Sequence, residues 1–227
     1  MRRLILFDID GTLGWGGPAK EAFCQAMLET YGTTGDLQSV SFAGKTDPQI
    51  ARELLAGAGI DPETIADGFE SLWTRYVAHL GERIVRDPVA VLPGVHDLID
   101  ALDAFRDVGL GLLTGNIAGG AELKLGSAGL WGRFGFGSYG SDHEERDELP
   151  AIAVTRARAL WGDALSAEHA VIVGDTPRDV QCGRAGGMRT IAVATGSYTA
   201  AELHRTGADH VLPDFSRTTE VVELLVG

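Results

Sequence analysis

Six short apolar runs recur along the chain, and each breaks into a polar or glycine-bearing segment. They are LILFDID from Leu4, GLGLLTGN from Gly109, FGFGSYGSD from Phe134, HAVIVGDT from His169, RTIAVATGS from Arg189 and HVLPD from His210. Continuous apolar runs of this length read as strands buried on both faces, the pattern of a parallel sheet. Helical patterns lie between most of them. PGVHDLIDALDAFRDVG, from Pro93 to Gly109, places apolar side chains at Val95, Leu98, Ile99, Leu102 and Phe105; LPAIAVTRARALWG and TPRDVQCGRAGG are two more. Strand alternating with helix predicts βαβ units, hence an α/β fold with a Rossmann-like parallel sheet core. One region breaks the rhythm. From about Gly16 to about Asp87 there is no convincing strand, and three helical candidates appear at Pro18–Tyr31, Asp47–Ala58 and Pro62–Leu80. This stretch reads as an inserted α-helical cap domain, residues 16–87, set into a core domain formed by residues 1–15 and 88–227.

Bulk properties narrow the partners. The 227 residues carry 19 Lys and Arg against 32 Asp and Glu, a formal net charge of −13. That balance excludes nucleic acid and an anionic membrane as main partners and requires a local device, a metal ion or helix N-termini, to hold a small anionic substrate. Two cysteines, Cys24 and Cys182, make neither a disulfide framework nor a zinc spacing, so a cytoplasmic location is expected. No apolar stretch is long enough to span a membrane, and the apolar part of MRRLILFD is too short for a signal peptide. Monomer and homodimer both remain open.

In open α/β sheets, ligands bind at the carboxyl ends of the strands. Asp8 and Asp10 follow the first apolar run, and in extended chain residues two apart share a side. Their charges repel unless something absorbs them. An EF-hand is ruled out, because Gly11 falls fourth where that loop needs glycine sixth. Two readings stand: solvated acids at a strand end, or a nucleophile plus a general acid/base with Mg²⁺ offsetting the repulsion. In VGDTPRD, Thr176, Pro177 and Asp179 make a capping-box-like helix start, which leaves Asp175 as the metal-ligand candidate and gives Asp179 a capping role, a metal role or both. In LLTGN, the Thr114 hydroxyl with the Gly115 and Asn116 backbone forms a candidate anion cradle; the alternative is that Asn116 only caps the next helix.

Order and context make the set specific. With Asp8 to Thr12 as an Asp-x-Asp-Gly-Thr motif, Thr114 as the hydroxyl after a later strand, and Gly174, Asp175 and Asp179 as an acidic pair after another, the chain resembles the haloacid dehalogenase superfamily, and within it phosphatases of the phosphoglycolate phosphatase type. The resemblance covers essentially the whole chain and places the non-strand stretch where that family carries its helical cap. It implies hydrolysis of a small phosphate monoester, phosphoglycolate being the leading expectation. It further implies Asp8 as nucleophile forming an aspartyl-phosphate, Asp10 as acid then base, and Thr114 on a phosphoryl oxygen. Mg²⁺ would be held by Asp8, Asp10 through its backbone carbonyl, and Asp175, with Asp179 in support.

The chain departs from the pattern at the third motif, a Lys before the helix that precedes the second acidic cluster. Its three lysines are Lys20, Lys45 and Lys124, and the corresponding segment, HEERDELPAIAV, places Asp147 at the Lys position with Arg146 beside it. Arg146 is expected to supply the missing charge, since guanidinium is always cationic and grips phosphoryl oxygens with two donors; the other reading is a solvated arginine. Lys124 reads as a solvated helix residue. In FAGKTDPQI, Thr46 or Asp47 caps a helix, and Lys45 and Thr46 are expected to contact substrate. Lys45 also supports an alternative, a Schiff-base lysine as in phosphonoacetaldehyde hydrolases. A third reading is a non-catalytic binding protein of the same fold. Trp15, at the entrance to the cap, is a candidate site or hinge residue.

Overall fold

A computed structural model describes residues 3–227. The first apolar run forms β1 (Arg3–Phe7), in the middle of a six-stranded parallel sheet. The other strands are β4 (Val108–Thr114), β5 (Phe136–Tyr139), β6 (Ala170–Gly174), β7 (Arg189–Val193) and β8 (His210–Leu212), in the order β5-β4-β1-β6-β7-β8. The alternation of side chains along β1 explains its unbroken apolar sequence. Ile5 and Phe7 join Leu98, Ile99, Leu125 and Val221 on one face of the sheet. Leu4 and Leu6 join Leu149, Ala153 and Met188 on the other. Each such side chain, at 0% exposure in β1, contributes roughly 1.5–3 kcal/mol relative to leaving it in water.

Helices cover both faces: α4 (Val95–Asp103), α5 (Ala118–Ser127) and α9 (Thr218–Val226) on the first, and α6 (Leu149–Trp161) on the second. Gly109 in β4 is there because the Trp161 ring of α6 lies where any Cβ would stand. Two further helices, α7 (Pro177–Ala185) and α8 (Ala200–Arg205), follow β6 and β7.

The helical stretch after β1 is present as expected. A two-residue β2 (Gly14–Trp15) pairs antiparallel with β3 (Ala90–Val91). Between them run α1 (Ala19–Tyr31), α2 (Asp47–Gly57) and α3 (Pro62–Ile84). These helices form the cap. They bury their own apolar cluster, including Phe23, Met27, Leu54, Leu72 and Tyr76, and that cluster reaches the core through Val89 and Ile117. Thr46 and Asp61 cap α2 and α3, accepting from the N–H groups of Gln49 (3.2 Å) and Thr64 (2.9 Å).

Candidate active site

β1 lies between β4 and β6, so the ends of these three strands converge beneath the cap. The Asp8 N–H donates to the Val173 carbonyl (2.9 Å), continuing the β1–β6 ladder one residue beyond the strand. The chain then turns at Gly11, which has φ +81. A Cβ at Gly11 would overlap the Asp175 carboxylate, so this glycine supplies both the left-handed turn and the space for a neighbouring acid.

Asp8, Asp175 and Asp179 are 5%, 3% and 2% exposed. One carboxylate oxygen from each lies within 4.8 Å of the others. Arg146 sits beside them at 4% exposure, donating to Asp179 and standing 3.4 Å from Asp8 Oδ1. Its second amino group donates to the Gly44 carbonyl of the cap (3.2 Å). With all three acids ionised, three negative charges face one guanidinium, which leaves two uncompensated. Burial, then the charge of Asp179, pushes the Asp8 carboxyl up to about 6 despite Arg146. Burial and the charges of Asp179 and Asp8 push Asp175 up to about 9. Burial works against the Arg146 charge, yet Asp179 and Asp8 outweigh it and hold its pKa above the ordinary value.

Arg146, and not Asp147, therefore occupies the expected cationic position, and the solvated-arginine reading is excluded. Asp147 points away and accepts from Gln181 Nε2 (2.8 Å). Asp179 does cap α7: its Oδ2 accepts from the Thr176 N–H (2.9 Å) and hydroxyl (2.7 Å). Both its oxygens are thus engaged. Asp175 differs, because its Oδ1 is buried without a hydrogen-bond partner. An orphaned carboxylate oxygen among three acids with two uncompensated charges fits a hard divalent cation.

Asp10 has a separate set of partners. Lys124 Nζ donates to both of its oxygens (2.8 and 2.7 Å) and to Asn116 Oδ1 (2.7 Å), while Asn116 Nδ2 donates to Asp10 Oδ2 (2.8 Å) and Thr114 Oγ1 (2.8 Å). Burial raises the Asp10 pKa, but the charge and hydrogen bond of Lys124, with Asn116, outweigh it, and the net shift is downward. Two neighbouring acids thus sit in opposite environments, Asp8 held up and Asp10 held down.

Two expectations are corrected here, those for Lys124 and Thr46, and the capping alternative for Asn116 is set aside. Lys124 is not solvated; it is 5% exposed and bound to Asp10. Its position was readable, since Gly120, Ala121, Lys124 and Leu125 form the buried stripe of α5. Asn116 does not cap α5, because its side chain is spent on Asp10 and Thr114. The Ile117 N–H donates instead to Asp47 Oδ2 (2.8 Å), and the Ala118 N–H to Ser141 Oγ (3.1 Å). Thr46 is fully buried, and its hydroxyl donates to the Glu144 carbonyl (2.6 Å), so it clamps the cap to the core and does not line the cavity.

A cavity of about 300 Å³ opens above these groups. Asp8, Asp10, Thr114, Gly115, Asn116, Arg146 and Asp175 line its core side. Trp15, Lys20, Phe23, Phe42, Lys45, Asp47 and Tyr76 line its cap side. Lys45 is within reach, but Glu53 pairs with it.

Fold and site together define an α/β hydrolase with a helical cap over clustered carboxylates. The chain belongs to the haloacid dehalogenase-like hydrolases: that family's model matches residues 5–184, and a HAD-hydrolase-like model matches residues 151–218. It is similar to a phosphoglycolate phosphatase of Rhodobacter capsulatus, at 27% identity over 98% of each chain. It is also similar to an N-acetylmuramic acid 6-phosphate phosphatase of Pseudomonas putida, at 31% identity over 86% of this chain and 83% of that one. Its fold matches that of CbbY from Rhodobacter sphaeroides in complex with phosphate, with a TM-score of 0.68 at 24% identity, covering 95% of this chain and 96% of that one. The protein is a phosphoric monoester hydrolase, which sets aside the non-catalytic reading. No helix among the described residues is long and apolar enough to cross a membrane.

Proposed function

We propose that the protein hydrolyses a small phosphate monoester through an aspartyl-phosphate on Asp8, with Mg²⁺ as cofactor. The observation that carries this reading is geometric: two acids two residues apart at one strand end line the same cavity, each with its own partners. Asp8 stands 3.4 Å from Arg146, among the buried carboxylates, while Asp10 is aimed by Lys124 and Asn116. Asp8, ionised, attacks phosphorus, the P–O bond to the leaving group breaks, and Asp10, which must enter this step protonated, delivers its proton to the departing oxygen. Water then attacks the aspartyl-phosphate, Asp10 takes its proton, and orthophosphate leaves with Asp8 restored.

Asp8 and Asp175 would hold Mg²⁺, with Asp179 supporting through the cap of α7 and the Asp10 backbone carbonyl as a further donor. When bound, the ion neutralises the surplus negative charge and polarises the phosphoryl group. Arg146, whose Nε is buried without a partner, and the Thr114 hydroxyl bind phosphoryl oxygens, taking the role first expected of a lysine. The Gly115 and Asn116 backbone completes the cradle. The unit 16–87 serves as the cap domain that excludes water from the transfer step.

Phosphate release with Mg²⁺ across a panel of small esters, phosphoglycolate included, tests the reading. Turnover by the wild type and its loss in Asp8→Asn are expected; no turnover of any ester by the wild type overturns it. The Schiff-base alternative loses ground because Glu53 holds Lys45 as an ion pair, whereas a nucleophilic amine must be free of its proton. Borohydride treatment with phosphonoacetaldehyde is expected to leave the chain unlabelled.

A further inference from the structure

The polar groups on the cavity wall can be sorted by whether their valences are already met. On the core side, Lys124 is spent on Asp10 and Asn116, and Arg146 on Asp179, Asp8 and the cap. On the cap side, Lys45 is paired with Glu53. Lys20 is exposed at the mouth, with its ammonium 5.3 Å from the Phe42 ring centroid, where water screens its charge. Asp175 Oδ1 and Arg146 Nε are unpartnered and belong to the phosphoryl site described above; on the cap side, Asp47 and Tyr76 also keep an open valence. Asp47 accepts from the Ile117 N–H with Oδ2, and no group among the described residues donates to its Oδ1. Tyr76 is 2% exposed, yet its phenol makes no hydrogen bond among the described residues. Both residues line the cavity.

The wall around this pair is apolar on the cap side, while Lys124 and Asp10 of the core act on Asp47 by charge. Phe23 meets the Tyr76 ring edge-on at 5.7 Å and Phe42 at 6.3 Å, and Ile50 adds an aliphatic side chain to the wall. Gly120 leaves the phenol room, since a Cβ there would come within 3.4 Å of the Tyr76 oxygen. A phenol donor and a free carboxylate oxygen on one cavity wall, close enough for the Asp47 charge to act on Tyr76, are complementary to a hydroxyl, which donates to one and accepts from the other. A substrate carboxylate has no proton for Asp47 and meets its charge in a partly desolvated wall.

We propose that Asp47 and Tyr76 form a hydroxyl-recognising subsite, so that the ester taken by this site carries an uncharged, hydroxylated leaving group of the sugar or polyol kind in preference to a carboxylate-bearing one. The aromatic wall takes the C–H face of that group. This assignment rests on the phosphatase reading above and refines its substrate class.

The experiment compares kcat/KM for glycerol 3-phosphate, erythrose 4-phosphate and glucose 6-phosphate with that for phosphoglycolate and for phenyl phosphate, whose body has neither hydroxyl nor carboxylate. At least one hydroxylated ester is expected to exceed phosphoglycolate by tenfold or more. In Tyr76→Phe, which keeps the ring packing, the ratio of the best hydroxylated ester to phenyl phosphate is expected to fall about 10-fold or more, the usual effect of removing a partner from a buried hydroxyl. In Asp47→Asn, which keeps an acceptor for Ile117, the preference over phosphoglycolate is expected to narrow. Phosphoglycolate ahead of every hydroxylated ester, or a Tyr76→Phe ratio that does not move, overturns the subsite and leaves the phosphatase reading standing. Failure to hydrolyse any ester, phenyl phosphate included, overturns the phosphatase reading and the subsite with it.

Discussion

Replacing Asp175 by Asn is expected to stabilise the metal-free protein while destroying its response to Mg²⁺. In the folded chain the Asp175 carboxyl is held up at about 9, against an ordinary 3.8. A carboxyl with a raised folded pKa costs nothing at low pH, where both states are protonated. The penalty opens as pH climbs past the unfolded value, grows until the folded value is reached, and is constant beyond it. Each unit corresponds to about 1.36 kcal/mol. Local rearrangement offsets part of this cost, so the penalty at pH 8 is on the order of 2–3 kcal/mol. Asn has the same shape, fits the space left by Gly11 and Gly196, and carries no charge. At about 2–4 °C per kcal/mol for a chain of this size, the variant should melt roughly 5–10 °C above the wild type in chelator at pH 8. The gap should close toward pH 5. With saturating Mg²⁺ the wild type should gain stability by linkage and the variant should not. Thermal melts of both proteins at pH 5 and pH 8, with chelator and with Mg²⁺, read all of this. A variant no more stable than wild type in chelator at pH 8, or a gap independent of pH, refutes the charge argument.

Lys124→Met is expected to lower kcat by roughly 30- to 100-fold, because two charge-assisted hydrogen bonds that aim Asp10 are lost; a steady-state rate within twofold of wild type would exclude the positioning role. Arg146→Ala removes the cation shared by Asp8 and Asp179 and should cost about 3–5 kcal/mol in urea unfolding, whereas Mg²⁺ affinity measured by calorimetry should rise, since the site becomes more negative. Gly115→Ala places a Cβ against the Lys45 carbonyl, so it should push the cap loop off β4, break the Asp47 N–H to Gly115 carbonyl bond (2.8 Å) and lower thermal stability by about 1–3 kcal/mol; a melting point equal to wild type would argue against this contact.

The strands were readable because a sheet covered on both faces needs apolar residues at every position, and LILF, LGLL and VIV satisfy that locally. Asp8, Asp10, Asp175 and Thr114 were readable for the same reason: each follows such a run, and strand ends point at the site. Arg146 was readable from its spacing to Pro150 and from its charge, since Asp147 cannot supply a cation; its pairing with Asp179 and Asp8 was not. Lys124 was misread because a lysine on a helix is usually solvated, although the buried stripe of α5 passes through it. Thr46 caps its helix as its sequence context suggests, but its hydroxyl also reaches the Glu144 carbonyl 98 residues away, and that contact takes it out of the cavity.

Local rules thus carry the element types, their order, the helical insertion and the acids at strand ends, because hydrophobic period and turn chemistry act over a few residues. The pairing of those acids is a different matter. Lys124 reaches Asp10 across 114 residues, Asp47 accepts from the Ile117 N–H 70 residues later, and Arg146 meets Asp179 across 33. Such contacts depend on strand order and on where the cap settles over the sheet. The folded chain alone brings these groups together: burial and the neighbouring acids raise Asp8, Lys124 and Asn116 lower Asp10, and Asp47 and Tyr76 come to line one cavity.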